Sequence, residues 1–209
     1  RLTCRSAEHA TAGLALTHRV DARKRLTKGA RMEFAMLGND RRGDLTRLFR
    51  SAFSSSEGRE EGERIAELAA KLSDAIDGAD VICYGALQDQ SLVGAIFFTR
   101  LRFDDDALIY MLAPVAVATA HQGAGVGQSL IRFSLNEVAA RGAVAAITYG
   151  DPAFYGRVGF EPLPEAVLKA PMALSMPFGW LGQSLTGHPI QARQERPSCV
   201  EAFRNPAYW

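Results

Sequence analysis

Apolar positions along the chain fall into two alternating rhythms. Residues 32–37 form a short apolar run that reads as a strand, closed by a Gly38-Asn39-Asp40 turn in which Asp40 is placed to cap a helix. Leu45, Leu48, Phe49 and Phe53 then recur at helical spacing, and Ser54-Ser55-Ser56-Glu57-Gly58 reads as the break after them. A second helix spans about 59–76, with Ile65, Leu68, Ala69, Leu72 and Ile76 on one side. The polar link between these helices could border a substrate site, although an ordinary surface connection is the readier explanation. Residues 81–87 and 91–102 read as two strands around a turn at 88–90. A solvated Asp104-Asp105-Asp106 turn leads into an apolar strand at 107–117, which holds Pro114. Proline supplies no ladder donor, so an edge, a bulge or a break in pairing is expected there. A glycine-rich turn at 122–127 opens a helix with Leu130, Ile131, Leu135 and Val138 on its apolar side, ended by Arg141-Gly142. A buried strand at 143–149 and a short helix carrying Phe154 and Tyr155 follow. The proline-rich remainder, 164–209, reads as irregular, with short strands near 167–170, 173–176 and 200–203, and with Trp180 and Trp209 as anchors to the body.

Composition narrows the class. The 47% apolar content of 209 residues suits one globular domain. Residues 1–31 stand apart: they carry eight basic and two acidic residues, lack aromatics, and read as a basic, disordered extension ahead of Met32 as a natural start. An Arg-rich, acid-poor start is also what a transit peptide has, though nothing favours targeting. The remainder has about five more acids than bases, which suits a cationic substrate slightly. A net charge of +1 gives no argument for nucleic-acid binding, and no run of 18 apolar residues argues for a membrane span. Cys4, Cys83 and Cys199 lack metal-site spacing and read as thiols of a reducing, cytoplasmic compartment, with Cys83 and Cys199 in the core. The three aspartates lack calcium-loop spacing, so no metal is expected.

A strand, a glycine loop and a helix in that order make an anion site, because the first N–H groups of the helix are unpaired and carry partial positive charge. A dinucleotide fingerprint fails, since the third glycine would fall on Gln128. A nucleotide-triphosphate loop fails for want of Gly-Lys-Ser/Thr. The spacing that fits is Gln-x-x-Gly-x-Gly, at Gln122, Gly125 and Gly127.

Here the sequence resembles the GCN5-related N-acetyltransferase (GNAT) superfamily. The strand from Leu112 to Val117 looks like that family's fourth strand, and residues 153–160 (AFYGRVGF) look like its Ala-x-x-Tyr-x-x-x-Gly-Phe segment. The three pieces lie in register over roughly residues 32–163, within a domain taken as 32–209. The resemblance implies an α+β, three-layer fold: a mixed sheet of about six to seven strands flanked by helices, splayed between the fourth and fifth. It implies an N-acetyltransferase using acetyl-CoA as co-substrate, with direct transfer to a primary amine on a small molecule or protein; a homodimer is compatible with it. The coenzyme would lie along Leu112, Val115, Ala116 and Val117, with its pyrophosphate on Gln122, Gly123, Ala124, Gly125, Val126, Gly127 and Gln128. A backbone N–H near Leu112 or Ala113 would polarise the thioester carbonyl. Tyr155 matches the family's acid tyrosine; a phenol of pKa about 10 is matched well enough to a thiol to protonate the departing thiolate. Its alternative role is an aromatic packed beside Phe154. The general base is left open: no Asp or Glu occurs from Ala107 to Asn136, where the family often places a carboxylate. Tyr110, a water chain or an acid from another segment are the candidates, and His121 reads as phosphate-proximal rather than catalytic. That missing carboxylate motivates the alternative of a non-catalytic acyl-CoA-binding or sensing module.

Overall fold

A computed structural model describes residues 31–209. The expectations for residues 1–30, including the disordered extension and Cys4, lie outside the described residues. The chain runs β1 (Met32–Leu37), α1 (Arg42–Glu57), α2 (Arg59–Asp74), β2 (Val81–Gln88), β3 (Ser91–Leu101), β4 (Ile109–Val117), α3 (Val126–Ala140), β5 (Ala145–Tyr149), α4 (Pro152–Tyr155), β6 (Glu161–Pro162) and β7 (Trp180–Ser184). The strands form one seven-stranded mixed sheet in the order β1-β2-β3-β4-β5-β7-β6, with β4–β5 as its parallel pair.

Strict alternation builds the layers. Along β2, Val81 and Cys83 face one core and Ile82 and Tyr84 the other. The first core holds the apolar sides of α1 and α2, and the second holds those of α3 and α4, so helices cover both faces of the sheet. Cys83 is fully buried, and burial pushes its thiol up; Cys199 is half-buried.

Several local expectations are corrected. The serines at 54–56 do not end the first helix. The Ser55 and Ser56 hydroxyls donate to the Ser51 and Ala52 carbonyls one turn back, so α1 keeps going until Gly58 turns the chain at φ 97°. Asp40 caps nothing; it sits in a 3₁₀ turn (Asn39–Arg41), and α1 starts without a side-chain cap. The strands expected near 167–170, 173–176 and 200–203 do not form: the first two segments are irregular, and a 3₁₀ turn (Glu201–Phe203) occupies most of the third. Instead Trp180–Ser184 pairs with β5 from Tyr149↔Trp180 to Ala145↔Ser184. Trp180 and Trp209 do anchor this segment, at 1% and 5% exposure with ring centroids 6.2 Å apart.

The expectation for Pro114 is met by a bulge on a central strand. Ile96 faces Val115 and Phe98 faces Leu112, so Phe97 opposes both Ala113 and Pro114. On the other side, β4 pairs with β5 only from Ile109↔Ala145 to Met111↔Ile147. Beyond Met111 the two parallel strands separate.

Candidate active site

The bulge and the splay act together on the backbone of β4. Residues two apart in a strand aim their N–H and C=O at the same neighbour. Before the bulge, Leu108 and Leu112 aim at β5: their carbonyls accept Val144 N–H at 2.8 Å and Thr148 Oγ1 at 2.9 Å. After it, Ala118 N–H donates to Val93 of β3 at 2.8 Å. Ala116 therefore also faces β3, and Val115 and Val117 face the side from which β5 has departed. The two-against-one count at Ala113-Pro114 shifts the phase of the strand by one residue. Backbone polar groups thus point into an opening that β5 would otherwise fill.

At the end of β4 the glycine loop begins. Gln122 folds back and donates from Nε2 to the Val117 carbonyl at 2.9 Å, which fixes the exit of the strand. Gly125 then takes φ 78° as the residue before α3, and its carbonyl accepts Ser129 N–H at 3.0 Å. A side chain there would cost about 1–2 kcal/mol, which is why glycine stands at this position. The first N–H groups of α3 are left without helical partners and face the loop.

These elements enclose a cleft of about 520 Å³. Its walls bring together Val115, Ala116 and Val117 of β4, Gln122, Gly123, Gly125, Val126, Gly127 and Gln128 of the loop and α3, and Tyr155 of α4. Leu112 and Ala124 do not line it. Leu112 is fully buried, and only its backbone aims at the splay; Ala124 is on the exposed outside of the loop. Tyr155 is 5% exposed and held by rings on both sides, Phe154 at 5.1 Å and Phe160 at 5.7 Å between centroids. Both roles considered for it are thus visible at once: it packs beside Phe154 and borders the cleft.

Further walls come from outside the expected coenzyme-binding residues. The last turns of α1 contribute Ala52, Phe53, Ser55 and Ser56. The polar stretch that reads as a link is therefore helical and does border the cleft. Its only sequence signal was its polarity, since contact with the loop is purely tertiary. Among the described residues Asp151 is the one carboxylate on the wall; its Oδ1 caps α4 by accepting Ala153 N–H at 2.9 Å. His121 borders the loop end, and its Nε2 donates to Gln88 Oε1 at 2.7 Å, tying the loop to the end of β2. Arg157 was legible only as a variable position of the 153–160 segment, yet it stands on the wall. Tyr110 is turned away: its hydroxyl donates to the Ala79 carbonyl at 2.7 Å. Among the described residues no group of His, Cys, Asp or Glu is clustered as metal ligands, and the Asp105 carboxylate of the triple-aspartate turn instead accepts from Arg193 and Ala107.

Comparison with known proteins agrees with this geometry. The family model of the acetyltransferase (GNAT) domain matches residues 36–163. The uncharacterized N-acetyltransferase YjhQ of Escherichia coli K12 is 33% identical over 131 residues, which are 60% of this chain and 72% of that protein. The solved GNAT family N-acetyltransferase YhbS of Escherichia coli, in complex with CoA, superposes with a TM-score of 0.74 at 21% identity, covering 87% of this chain and 96% of its own. A GNAT family acetyltransferase of Brucella melitensis, in complex with acetyl-CoA, superposes with a TM-score of 0.59 at 22% identity, covering 83% of this chain and 99% of its own. With a family match over more than half its length and the splayed, bulged β4 that leads into a Gln-x-x-Gly-x-Gly loop, the chain belongs to the GNAT acetyltransferase family.

Proposed function

We propose that this N-acetyltransferase binds acetyl-CoA in the cleft between β4 and β5 and transfers its acetyl group directly to an amine. The observation that carries the reading is the phase shift at Ala113-Pro114. It turns the backbone of Val115 and Val117 toward the splay, where a pantetheine arm with its two amides can pair as a strand does. The Val117 carbonyl already holds Gln122, which leaves Val115 and the Val117 N–H for the ligand. At the end of that strand the loop N–H groups meet the pyrophosphate, favoured by the helix dipole. The two solved relatives described above carry CoA and acetyl-CoA, which supports this choice of ligand.

Tyr155, buried between two rings on the opposite wall, serves as the acid that protonates the CoA thiolate as the amine attacks. The acceptor approaches past the end of α1, whose Ser55 and Ser56 give hydroxyls and Phe53 an apolar wall.

The test is release of free CoA thiol from acetyl-CoA in the presence of a panel of primary amines, for the wild type and for Tyr155→Phe. The reading expects turnover with at least one amine class and a fall of about 10²- to 10⁴-fold in kcat for the variant, with coenzyme affinity within about twofold. A chain that binds acetyl-CoA but turns over with no amine would be a binding module instead.

A further inference from the structure

The cleft wall has a second anion-seeking feature, away from the glycine loop. Arg157 stands on it two residues beyond Tyr155, exposed to solvent. Other arginines of the protein are matched to acids: Arg42 with Asp74, Arg50 with Glu63, Arg102 with Asp80, Arg193 with Asp105. The Arg157 guanidinium has no carboxylate within ion-pair distance among the described residues. Its main chain is nonetheless fixed. It lies in a 3₁₀ turn (Gly156–Val158), and its carbonyl accepts Arg132 Nη2 of α3 at 2.8 Å. The bond brings a second cation up against the same turn. A guanidinium on a held backbone, with no acid of its own and facing a cleft, is suited to a phosphate, whose oxygens match its fork of donors.

The coenzyme has two separate anionic groups: a pyrophosphate and a ribose 3′-phosphate. The loop at Gly125 and Gly127 provides for one of them. We propose that Arg157 takes the other, the 3′-phosphate, and so selects the 3′-phosphorylated coenzyme over its dephosphorylated form, with Arg132 as a positioning residue that holds the turn. This inference rests on the reading of the cleft as a coenzyme A site.

Calorimetric titration of the wild type, Arg157→Gln and Arg157→Lys with CoA and with 3′-dephospho-CoA tests it, because the dephosphorylated ligand keeps the pyrophosphate. The wild type should prefer CoA by about 10- to 100-fold, the range of a charge-assisted contact. Arg157→Gln should reduce that preference below about threefold, by weakening CoA and leaving 3′-dephospho-CoA within about twofold. Arg157→Lys should keep part of it, as a point charge without the fork. The proposal is overturned by equal wild-type affinity for both ligands, by a preference that survives Arg157→Gln, or by a variant that weakens both ligands alike, which would assign Arg157 to the pyrophosphate or to the fold. Thermal melts of the variants identify the last of these. Failure of the wild type to bind either ligand is a different pattern: it overturns the coenzyme reading itself and this inference with it.

Discussion

Individual residues differ in how far their roles could be read from the chain alone. Gly125 was legible because its task is backbone geometry, and glycine takes φ 78° without strain. Gly125→Ala should therefore cost about 1–2 kcal/mol of stability, measured by urea denaturation, and should weaken coenzyme binding as the start of α3 shifts. The place of Tyr155 on the cleft wall was legible through its offset of four from Gly159. Arg157 was not, because an exposed arginine has no periodicity and its value lies in what it faces; His121 was placed at the loop end by its position beside Gln122. Ser55 and Ser56 were misread as a break in the helix, although the stretch was weighed as a border of the site. A serine run suggests a loop when its hydroxyls compete with the helix backbone, but here they bond within the helix.

Among the elements, β4 and α1 decide the cleft. The proline inside β4 announced an irregularity. The structure shows what it achieves: the strand stays central, bulges against β3 and parts from β5. The placement of α1 depends on its closeness to α2. A Cβ built on Gly62 of α2 would lie 1.9 Å from Ser54 Oγ and 2.9 Å from the Arg50 carbonyl. Gly62→Ala should thus force the two helices apart, destabilise by about 1–3 kcal/mol, and move Phe53 relative to the loop. Raised KM for the amine, read alongside the denaturation midpoint, checks both effects. An unchanged midpoint would show that the helices absorb the methyl. Of the strands missed by sequence reading, β7 carries glycine at its centre and polar residues at its end, Gly182-Gln183-Ser184. Tertiary pairing with β5, rather than propensity, makes it a strand.

At the scale of the whole molecule, the order of elements from β1 to α4 was legible because each has a clean period, and the C-terminal part was not because it is held by side chains. Trp209 closes that part against the sheet: it stacks near Tyr149 of β5 at 6.4 Å, and its Nε1 donates to the Phe203 carbonyl at 2.9 Å. Trp209→Ala should cost about 3–5 kcal/mol, the usual range for a buried tryptophan, with a matching drop in the melting temperature. A second tie is Arg193, buried over Phe103 and paired with Asp105 at 2.7 Å. The hydrogen bond from Arg193 holds the Asp105 carboxyl below its ordinary value. A lowered folded-state pKa means the contribution is present above the unfolded carboxylate value, about 3.9, and is lost as pH falls through the folded one. Asp105→Asn should lower the melting temperature by about 1–3 °C at neutral pH, modest because the carboxylate is half-exposed, and the gap should close below about pH 4. A gap that widened in acid would contradict the pairing. These scales meet in one claim, that the opening between β4 and β5 is the seat of acetyl-CoA. Calorimetry of the wild type with acetyl-CoA tests it most directly. Saturable binding with a dissociation constant in the micromolar range, weakened by Gly125→Ala, is the predicted result; no heat of binding at millimolar acetyl-CoA would contradict it.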